Sequence, residues 1–418
     1  MLSMLEDTFK QTKEASRVLA AMDDELRNRL LRLVADNIIA NTDSLLAANQ
    51  RDLARMDEDN PMADRLRLTP KRLEEIADGM RQVAAMPSPL GRILSTKTLA
   101  NGLELRRVSV PFGVVGVVYE ARPNVTFDVF AICLKSGNAC VLKCGKDAIS
   151  SCQAAVSLIR DTLRHAHVSP DIVTLLPATH EATQAMLNAV GYIDLCIPRG
   201  GKNLINFVRS TARVPVIETG AGVVHCYFDK AGDTTMGMHI IDNAKTRRCS
   251  VCNALDCLII HADRLNDLPA LIEPLAKKKV KIHADARAMQ ALQGHYPDEL
   301  LSLADSDDIW GTEWLSMQMG VKTVNSLGEA LKHIDRYGSG HSECIVTNDK
   351  AAAHNFQQAV DAACVYVNAP TSFTDGAQFG LGAEIGISTQ KLGARGPMGL
   401  EEMTTYKWLI NGNGQLRP

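Results

Sequence analysis

The sequence predicts an α/β protein built from two doubly wound lobes of parallel sheet. From Leu103 onward, short apolar runs rich in β-branched residues alternate with helical segments, and this alternation is typical of parallel sheets. The 418 residues exceed what one hydrophobic core normally organises, so we expect more than one substructure. The stretch Thr-Gly-Ala-Gly around Gly220 supplies a flexible joint and divides the alternating series in two.

The first hundred residues are predicted to be helical. Thr69 followed by Pro70 is a typical helix start, because threonine caps the first turn and proline fits its first position. The apolar face that follows is formed by Leu73, Ile76, Met80 and Val83. These residues recur at helical spacing, so we expect an amphipathic helix packed on a core.

Strands are predicted in both lobes. In the first lobe we expect them at 103–110, 114–119, 139–143, 172–176, 193–197 and 214–218, with helices at 128–134, 148–165 and 203–211. In the second lobe we expect them at 223–228, 257–260, 280–283, 321–324, 343–346 and 365–368. The C-terminal segment 404–410 is β-prone, and we expect it to pair with an edge strand of this chain or of another subunit.

Composition excludes several classes of function. A net charge of −3 leaves no cationic excess for a nucleic-acid surface, and the lysine run at 277–281 has the pattern of a solvated helix end. Eleven cysteines without framework spacing, and no cleavable apolar leader, predict a reducing compartment and a cytoplasmic location. No apolar run approaches the roughly 18 residues of a membrane span.

The segment Asn243 to Cys257, NAKTRRCSVCNALDC, has the composition of a site that makes a thiolate. Its cations, Lys245, Arg247 and Arg248, favour the anionic form of a nearby cysteine, which is the reactive form.

Two thiols of this segment, Cys249 and Cys252, follow the cations directly. A helical turn beginning at Asn253 would add the positive end of a dipole beside Cys252. Two alternatives stay open from the residues alone: small buried cysteines, and a C-x-x-C redox pair.

A dinucleotide site is indicated weakly, because no GxGxxG joins a strand to a helix in the first lobe. In the segment IPRGGK, Gly200 and Gly201 allow close backbone approach, and the following helix presents amides to an anion. Lys143 and Lys146 follow another strand and are candidates for a nucleotide ribose or phosphate. A structural turn and ordinary surface lysines are the alternatives.

Polar residues also follow the buried strand that ends at Tyr119. Arg122 and Asn124 lie where ligands bind in open α/β sheets, and Asn124 suits either an oxyanion donor or a helix cap. Glu218 and Glu313 are candidates for a base or a ribose ligand, although most such carboxylates face water.

The histidines do not indicate a metal site. The candidates considered are His225, His333 and His341, and they lack metal-ligand spacing.

Motifs along nearly the whole chain form one set. They are YEARPNVT at Tyr119, CLKSGNA at Cys133, IPRGGK at Ile197, NAKT and CNALD from Asn243, RYGSGHSE at Arg336, FTDG at Phe373 and GAEIGISTQKLGARGPMGLEEMTTYKW at 382–408. In this order the set resembles the γ-glutamyl phosphate reductase family, whose members are also called glutamate-5-semialdehyde dehydrogenases, within the aldehyde dehydrogenase superfamily. The long block at 382–408 is the most specific of these segments.

The resemblance implies an aldehyde dehydrogenase-like fold with two doubly wound parallel-sheet lobes and a small β oligomerisation flap. The implied parts are an NADPH-binding domain at 1–98 and 112–220, a catalytic domain at 221–400, and the flap at 99–111 and 401–418. Because such flaps join subunits in the superfamily, a homodimer or higher homo-oligomer is implied. Functional coupling to a glutamate 5-kinase is a further implied partnership.

The implied reaction is the reduction of L-glutamyl 5-phosphate by NADPH to L-glutamate 5-semialdehyde in proline biosynthesis. The resemblance selects Cys252 as the nucleophile that forms a thioester, and Asn124 with the backbone N–H of Cys252 as oxyanion donors. It also assigns Glu313 to the nicotinamide ribose, and it leaves Glu218 without a required catalytic role.

Cofactor and substrate contacts are implied in the same way. In NAD-preferring relatives a lysine, followed three residues later by a glutamate, binds the adenosine ribose. Here Lys143 and Lys146 occupy these two positions, so a cation replaces the glutamate. This replacement favours a cofactor that carries a 2′-phosphate. Candidate ligands of the substrate's α-carboxylate and α-amino groups are Arg122, Arg336, Ser372 and Thr374. The alternatives are a phosphate-independent semialdehyde dehydrogenase and a thiol redox sensor.

Overall fold

A computed structural model describes residues 2–56 and 63–417. Its helices are α1 (Leu2–Ala20), α2 (Asp24–Ala40), α3 (Thr42–Leu53), α4 (Ala63–Leu66), α5 (Pro70–Ala85), α6 (Asn124–Lys135), α7 (Ile149–His165), α8 (His180–Leu187), α9 (Lys202–Thr211), α10 (Thr234–Thr246), α11 (Leu268–Lys277), α12 (Ala286–Leu292), α13 (Leu327–Tyr337) and α14 (Lys350–Ala359). Among the described residues, no helix is long and apolar enough to cross a membrane.

The strands follow the alternation expected from the sequence. They are β1 (Ile93–Thr98), β2 (Glu104–Pro111), β3 (Val114–Tyr119), β4 (Ala139–Cys144), β5 (Val173–Leu175), β6 (Leu195–Arg199), β7 (His225–Phe228), β8 (Cys257–His261), β9 (Lys281–Ala284), β10 (Leu301–Leu303), β11 (Gln318–Val324), β12 (Ser342–Val346), β13 (Cys364–Val367), β14 (Ile387–Ser388), β15 (Gly396–Pro397) and β16 (Thr404–Asn411).

The chain divides into two compact units. The first comprises Met1–Thr219, Gly380–Gly386 and Pro397–Pro418, and the second comprises Gly220–Phe379 and Ile387–Gly396. Part of the segment 382–408 therefore clusters with the first unit, although the sequence assigned everything up to residue 400 to the second lobe. Local apolar patterning indicates where strands lie, but it does not show which lobe a late segment packs on.

The first unit contains a parallel sheet with the strand order β5-β4-β3-β6. The order reverses at β3, so the carboxyl ends of β3 and β6 form a topological switch point, where open α/β sheets bind ligands. Around the sheet, Thr69 accepts a hydrogen bond from the Arg72 amide at 3.2 Å, and Pro70 occupies the first turn of α5. The predicted start of this helix is therefore confirmed.

One predicted strand of this unit, 214–218, is wrong. Only a single bridge joins Cys196 to Val216, and no strand is assigned there. Pro215 lies inside the segment and has no N–H to donate, so a continuous ladder of hydrogen bonds cannot form.

A small antiparallel sheet with the order β1-β2-β16 completes the first unit. The C-terminal strand pairs with β2 of its own chain, with Trp408 opposite Arg107. The sheet also includes β1, which lies before the predicted flap segment 99–111. This strand is exposed along its length, so it carries no alternating apolar pattern that the sequence analysis would detect.

The second unit is organised by a parallel sheet with the order β10-β9-β11-β8-β7-β12-β13. Helices α10, α11 and α12 cover a core that contains Leu258, Ile260 and Leu271. Strand β10 was not predicted, because Leu301–Leu303 is too short for a periodic signal. The two parallel sheets confirm the predicted fold class.

Candidate active site

Cys252 lies in a turn between α10 and β8. The Val251 carbonyl accepts a hydrogen bond from the Ala254 amide at 3.1 Å. The expectation that a helix begins at Asn253 is wrong, because the next amides are bonded elsewhere: Leu255 donates to the carbonyl of Ala244 and Asp256 to that of Val224. No helix dipole therefore acts on Cys252 from this turn.

Asn253 fastens this thiol turn, residues 251–254, to the segment 371–374. Its amide nitrogen Nδ2 donates to the carbonyls of Ser372 at 3.3 Å and Thr374 at 2.9 Å. In return, the Thr371 hydroxyl donates to the Asn253 carbonyl at 2.9 Å. The predicted substrate ligands Ser372 and Thr374 thus contact the turn through their backbone oxygens.

The side chains of these two residues are also engaged. The Ser372 hydroxyl donates to Asn243 Oδ1 at 2.7 Å. The buried Thr374 hydroxyl lies 2.8 Å from the hydroxyls of both Ser342 and Tyr366. This network stabilises the loop beneath the thiol turn.

Gly222 packs directly against the backbone of Cys252. A Cβ atom at position 222 would overlap the Cys252 carbonyl, so only glycine fits. The Gly222 amide donates to Glu313 Oε1 at 3.0 Å. The sequence analysis treated the Thr-Gly-Ala-Gly stretch as a flexible joint. It missed the contact between Gly222 and Cys252, which are 30 positions apart.

A buried cation and a buried carboxyl lie behind the turn. Lys245 is fully buried, its Nζ has no hydrogen-bond partner among the described residues, and burial lowers its pKa although the charge of Asp256 opposes this. Burial raises the pKa of Asp256 to about 7, while Lys245 and the amides of Trp314 and Val224 oppose the increase.

The other cations and the cysteines of the segment Asn243 to Cys257 differ in how deeply they are buried. Arg247 and Arg248 are exposed, so Lys245 is the buried cation of the three. Cys249 and Cys252 are half-buried cysteines outside any disulfide, and Cys257 is a fully buried one. Interaction with Cys249 raises the pKa of Lys245 and so opposes the effect of burial.

At the switch point of the first unit, a carboxylate occupies the predicted anion site. Glu120 Oε2 accepts the Gly201 amide hydrogen bond at 2.9 Å. A Cβ atom at Gly200 would lie 2.7 Å from the same carboxylate, so a larger residue there would displace the Glu120 side chain. The amide at the start of α9 thus already binds an anionic group.

Asn124, the predicted oxyanion donor, begins α6. Its Nδ2 donates to Asp128 Oδ2 at 3.1 Å. Burial raises the pKa of Asp128 to about 6, and the Asn124 hydrogen bond and the Arg199 charge oppose the increase. Arg122 is half-buried, and its amide donates to the Glu120 carbonyl at 2.6 Å.

Lys143 and Lys146 lie together at the carboxyl end of β4. Burial lowers the pKa of Lys143, and the positive charge of Lys146 lowers it further. Lys146 is exposed at the start of a short 3-10 turn, Lys146–Ala148. In the same unit, Glu218 lies 3.6 Å from Arg209 in an ion pair.

Contacts in the second unit involve further residues that the sequence analysis considered. Arg336, a predicted substrate ligand, pairs with Asp307 at 2.8 Å with 68% of its side chain exposed. His225 and His333, judged from spacing to indicate no metal, lie beside Cys257 in the core.

The fold and the cysteine turn define an aldehyde dehydrogenase-like protein. A solved γ-glutamyl phosphate reductase from Thermotoga maritima matches with a TM-score of 0.94 and 37% identity, covering 99% of this chain and 100% of that chain. The NADP complex of a glyceraldehyde-3-phosphate dehydrogenase from Methanocaldococcus jannaschii matches with a TM-score of 0.72 and 14% identity, covering 99% and 95%. At that identity the second match supports the fold alone.

Among curated sequences, the γ-glutamyl phosphate reductase of Bacteroides thetaiotaomicron is 60% identical over 417 residues, covering 100% of both chains. That of Pelodictyon phaeoclathratiforme is 60% identical over 406 residues, covering 97% of both. No family model matches the chain. The chain belongs to the γ-glutamyl phosphate reductase family of the aldehyde dehydrogenase superfamily.

Proposed function

We propose that this chain reduces L-glutamyl 5-phosphate to L-glutamate 5-semialdehyde with release of phosphate, as an oxidoreductase of proline biosynthesis. Full-length identity of 60% to curated γ-glutamyl phosphate reductases supports the substrate and the reaction. The observation that carries the mechanism is Cys252 on a turn fastened by Gly222 and Asn253. A half-buried thiol on a fixed turn suits attack on an acyl carbon.

In the proposed mechanism the Cys252 thiolate attacks the acyl carbon of the substrate. An S–C bond forms, the C–O bond to phosphate breaks, and phosphate leaves with its electron pair, which gives a thioester. A bound nicotinamide cofactor supplies the hydride that reduces this thioester. Hydride addition leaves a thiohemiacetal anion, whose C–S bond breaks as the carbonyl reforms, which releases the aldehyde and regenerates the thiolate.

The negatively charged oxygen formed in these steps needs hydrogen-bond donors to stabilise it. We assign this role to Asn124 and the backbone N–H of Cys252. The Asn124 amide donates to Asp128, a side-chain partner that can rotate away when a substrate oxygen binds. The amide is then available to a substrate oxygen.

A nicotinamide cofactor suits this fold, and we propose that it is NADPH. The close cations of Lys143 and Lys146 favour a 2′-phosphate over a bare ribose hydroxyl. Gly200 and Gly201 would face the pyrophosphate, and Glu313 would face the nicotinamide ribose. Comparable activity with NADH would contradict this choice.

We assign Arg122 and Arg336 to the substrate's α-carboxylate by charge. Arg336 would have to leave its ion pair with Asp307, which is exposed and therefore weak. Ser372 and Thr374 would act on the substrate mainly through the thiol turn, because their backbone oxygens bind Asn253.

The assembly and location are also proposals. The antiparallel sheet exposes Tyr406, Trp408, Leu409 and Ile410 on its edge strand β16. We propose that this edge joins subunits into a homodimer or higher homo-oligomer in the cytoplasm. Coupling to a glutamate 5-kinase would supply the unstable acyl phosphate directly.

The reverse reaction tests the function. Glutamate semialdehyde and NADP should react with wild-type protein when phosphate is present, and not when it is omitted. Cys252→Ser should lose this activity by at least about 10³-fold, because a serine hydroxyl is a far weaker nucleophile at neutral pH. Cys249→Ser, which changes the neighbouring half-buried thiol, should retain it.

The outcomes separate the alternatives. Phosphate-independent oxidation of the semialdehyde would assign the chain to a hydrolytic dehydrogenase. Activity surviving in Cys252→Ser would exclude the thioester mechanism. Ready and reversible formation of a Cys249–Cys252 disulfide under oxidant would support the redox-sensor alternative, and neither cysteine is in a disulfide in this structure.

A further inference from the structure

We propose that His225, Cys257 and His333 form a buried binding site for Zn²⁺ in the second unit, separate from the catalytic thiol. One ring nitrogen of each histidine and the sulfur of Cys257 lie within 4.8 Å of one another. All three residues are buried. Imidazole and thiolate are the ligands that Zn²⁺ prefers, and they do not suit Mg²⁺ or Ca²⁺.

Strand register brings the first ligands together. Glu343 on β12 is the partner of His225 on β7, and His225 is in turn the partner of Cys257 on β8. Partners on neighbouring strands project to the same face of a sheet. His333 comes from α13, and its Nε2 lies 3.9 Å from the sulfur of Cys257.

Glu343 prepares His225 for metal binding. Its carboxylate lies 3.1 Å from His225 Nδ1 and also accepts the His225 backbone amide at 3.0 Å. A carboxylate on one ring nitrogen fixes the tautomer and leaves the other nitrogen for a metal. That nitrogen, Nε2 of His225, is buried, and no partner in the described part of the chain meets hydrogen-bond geometry with it, although the Trp310 backbone interacts with the ring.

The ligand atoms, which lie within 4.8 Å of one another, would have to move closer around an ion. Ligands at about 2.0 Å for nitrogen and about 2.3 Å for sulfur lie roughly 3.5 Å apart on a tetrahedral Zn²⁺. The separation of 3.9 Å between Cys257 Sγ and His333 Nε2 is close to that value. Three protein ligands leave the fourth position for a water molecule.

The charges also balance. A Zn²⁺ ion adds two positive charges, and the Cys257 thiolate and the Glu343 carboxylate supply two negative ones, so the buried site becomes neutral. A proton is the competitor, because Glu343 raises the pKa of His225 against the effect of burial. Zinc would displace that proton and the thiol proton of Cys257.

The proposed site has a structural role. It would connect β7, β8 and α13, and β8 begins three residues after the thiol turn. Because the ligands are fully enclosed, the ion would stabilise the fold and contact no substrate. Its binding is therefore expected to change thermal stability more than it changes turnover.

Metal titration tests the proposal on the whole chain carrying Cys252→Ser, which removes the reactive thiol as a competing ligand. After chelation and dialysis, Zn²⁺ should bind at about one ion per chain and raise the melting temperature. Co²⁺ should give the near-ultraviolet charge-transfer absorption of a cobalt–thiolate bond, and Zn²⁺ should abolish it.

Matched variants locate the site. In the same background, Cys257→Ala and His333→Gln should lose the cobalt–thiolate absorption and the zinc-dependent rise in melting temperature. Cys226→Ala removes a thiol on the adjacent strand β7 that is equally buried, 1% exposed like Cys257, and it should retain both. Circular dichroism checks that each variant is folded.

Two results would overturn the proposal. The first is the absence of any cobalt–thiolate absorption in the Cys252→Ser parent, which decides the question even if the variants do not fold. The second is metal binding by folded Cys257→Ala equal to that of the parent. Neither result bears on the reductase function, because that function is measured separately on wild-type protein.

Discussion

The switch point of the first unit and the thiol turn of the second unit hold their functional groups in different ways. At the switch point, side-chain carboxylates occupy the donors: Glu120 binds the Gly201 amide, and Asp128 binds the Asn124 amide. At the thiol turn, Cys252 is fixed by backbone contact with Gly222. A side-chain partner can give way to a ligand, whereas a backbone contact cannot, so the second region is the preorganised one.

Among changes that keep the reacting groups in place, Gly222→Ala in the fixed region is expected to have the largest effect. The added methyl group would overlap the Cys252 carbonyl and force the turn to shift. A shift of about 1 Å in a reacting group costs about 10²-fold in rate, so kcat should fall by at least that factor. Steady-state kinetics of the reverse reaction measures the loss.

Gly328→Ala is the matched control, since it adds the same methyl group where the nearest atom is 3.7 Å away, and its activity should be unchanged. If Gly222→Ala kept full activity, the turn would be adaptable and the contrast with the switch point would disappear.

The sequence predicted these two regions unequally well. Strands β3 and β8 are buried, mostly apolar runs rich in valine, leucine and isoleucine, so both were found. The position of Cys252 relative to Gly222 depends on backbone packing over 30 residues, and no local pattern encodes it. The helix expected at Asn253 failed because its amides bond distant carbonyls.

Strand register explains why the sequence analysis also missed the cluster of His225, Cys257 and His333. His225 and Cys257 are separated by 32 positions, and they become neighbours only because β7 pairs in parallel with β8 at that register. Motif spacing detects ligands on one helix or loop, but it does not detect ligands on adjacent parallel strands. The resemblance to a known family predicted Cys252 as the nucleophile, yet it carried no information about this cluster.

The next prediction sharpens the contrast at the switch point. If Glu120 occupies the amide that a cofactor phosphate needs, Glu120→Gln should remove the competing charge while it keeps an oxygen acceptor for Gly201. The KM for NADPH should then fall about three- to tenfold, which corresponds to roughly 1 kcal/mol for one charged hydrogen bond. The value of kcat should change little.

Initial rates at varied NADPH measure this effect, and Glu14→Gln, an exposed change on α1, is the control. A rise in the KM of Glu120→Gln would mean that the carboxylate binds the cofactor itself. The switch point would then be preorganised like the thiol turn.

The smallest effect on turnover is expected from replacing His341, which supports the thiol turn through Ser342 and Thr374. His341 Nδ1 lies 2.8 Å from the Ser342 hydroxyl, which in turn contacts Thr374, whose carbonyl holds Asn253. His341 is fully buried, and burial lowers its pKa to about 4. At neutral pH the imidazole is uncharged, so His341→Gln should alter kcat by less than about twofold.

Stability should instead reveal this residue through its pH dependence. An unfolded histidine titrates near pH 6.5, so the unfolded chain binds the extra proton between about pH 6.5 and pH 4 while the folded chain does not. The stability that neutral His341 contributes is present above pH 6.5 and is lost as the pH falls through this window. Between pH 7 and pH 5 the loss should be about 2 kcal/mol.

Urea unfolding at pH 7, 6 and 5 measures this slope, and the decline should be shallower in His341→Gln by about that amount. His295→Gln, which removes an exposed imidazole from the same unit, should follow the wild type. Identical slopes in wild type and His341→Gln would mean that water or a rearranged side chain accommodates the charged ring. The contacts that link His341 through Ser342 to Thr374 would then be adaptable. The rigidity of the thiol turn would depend on Gly222 and its immediate backbone contacts alone.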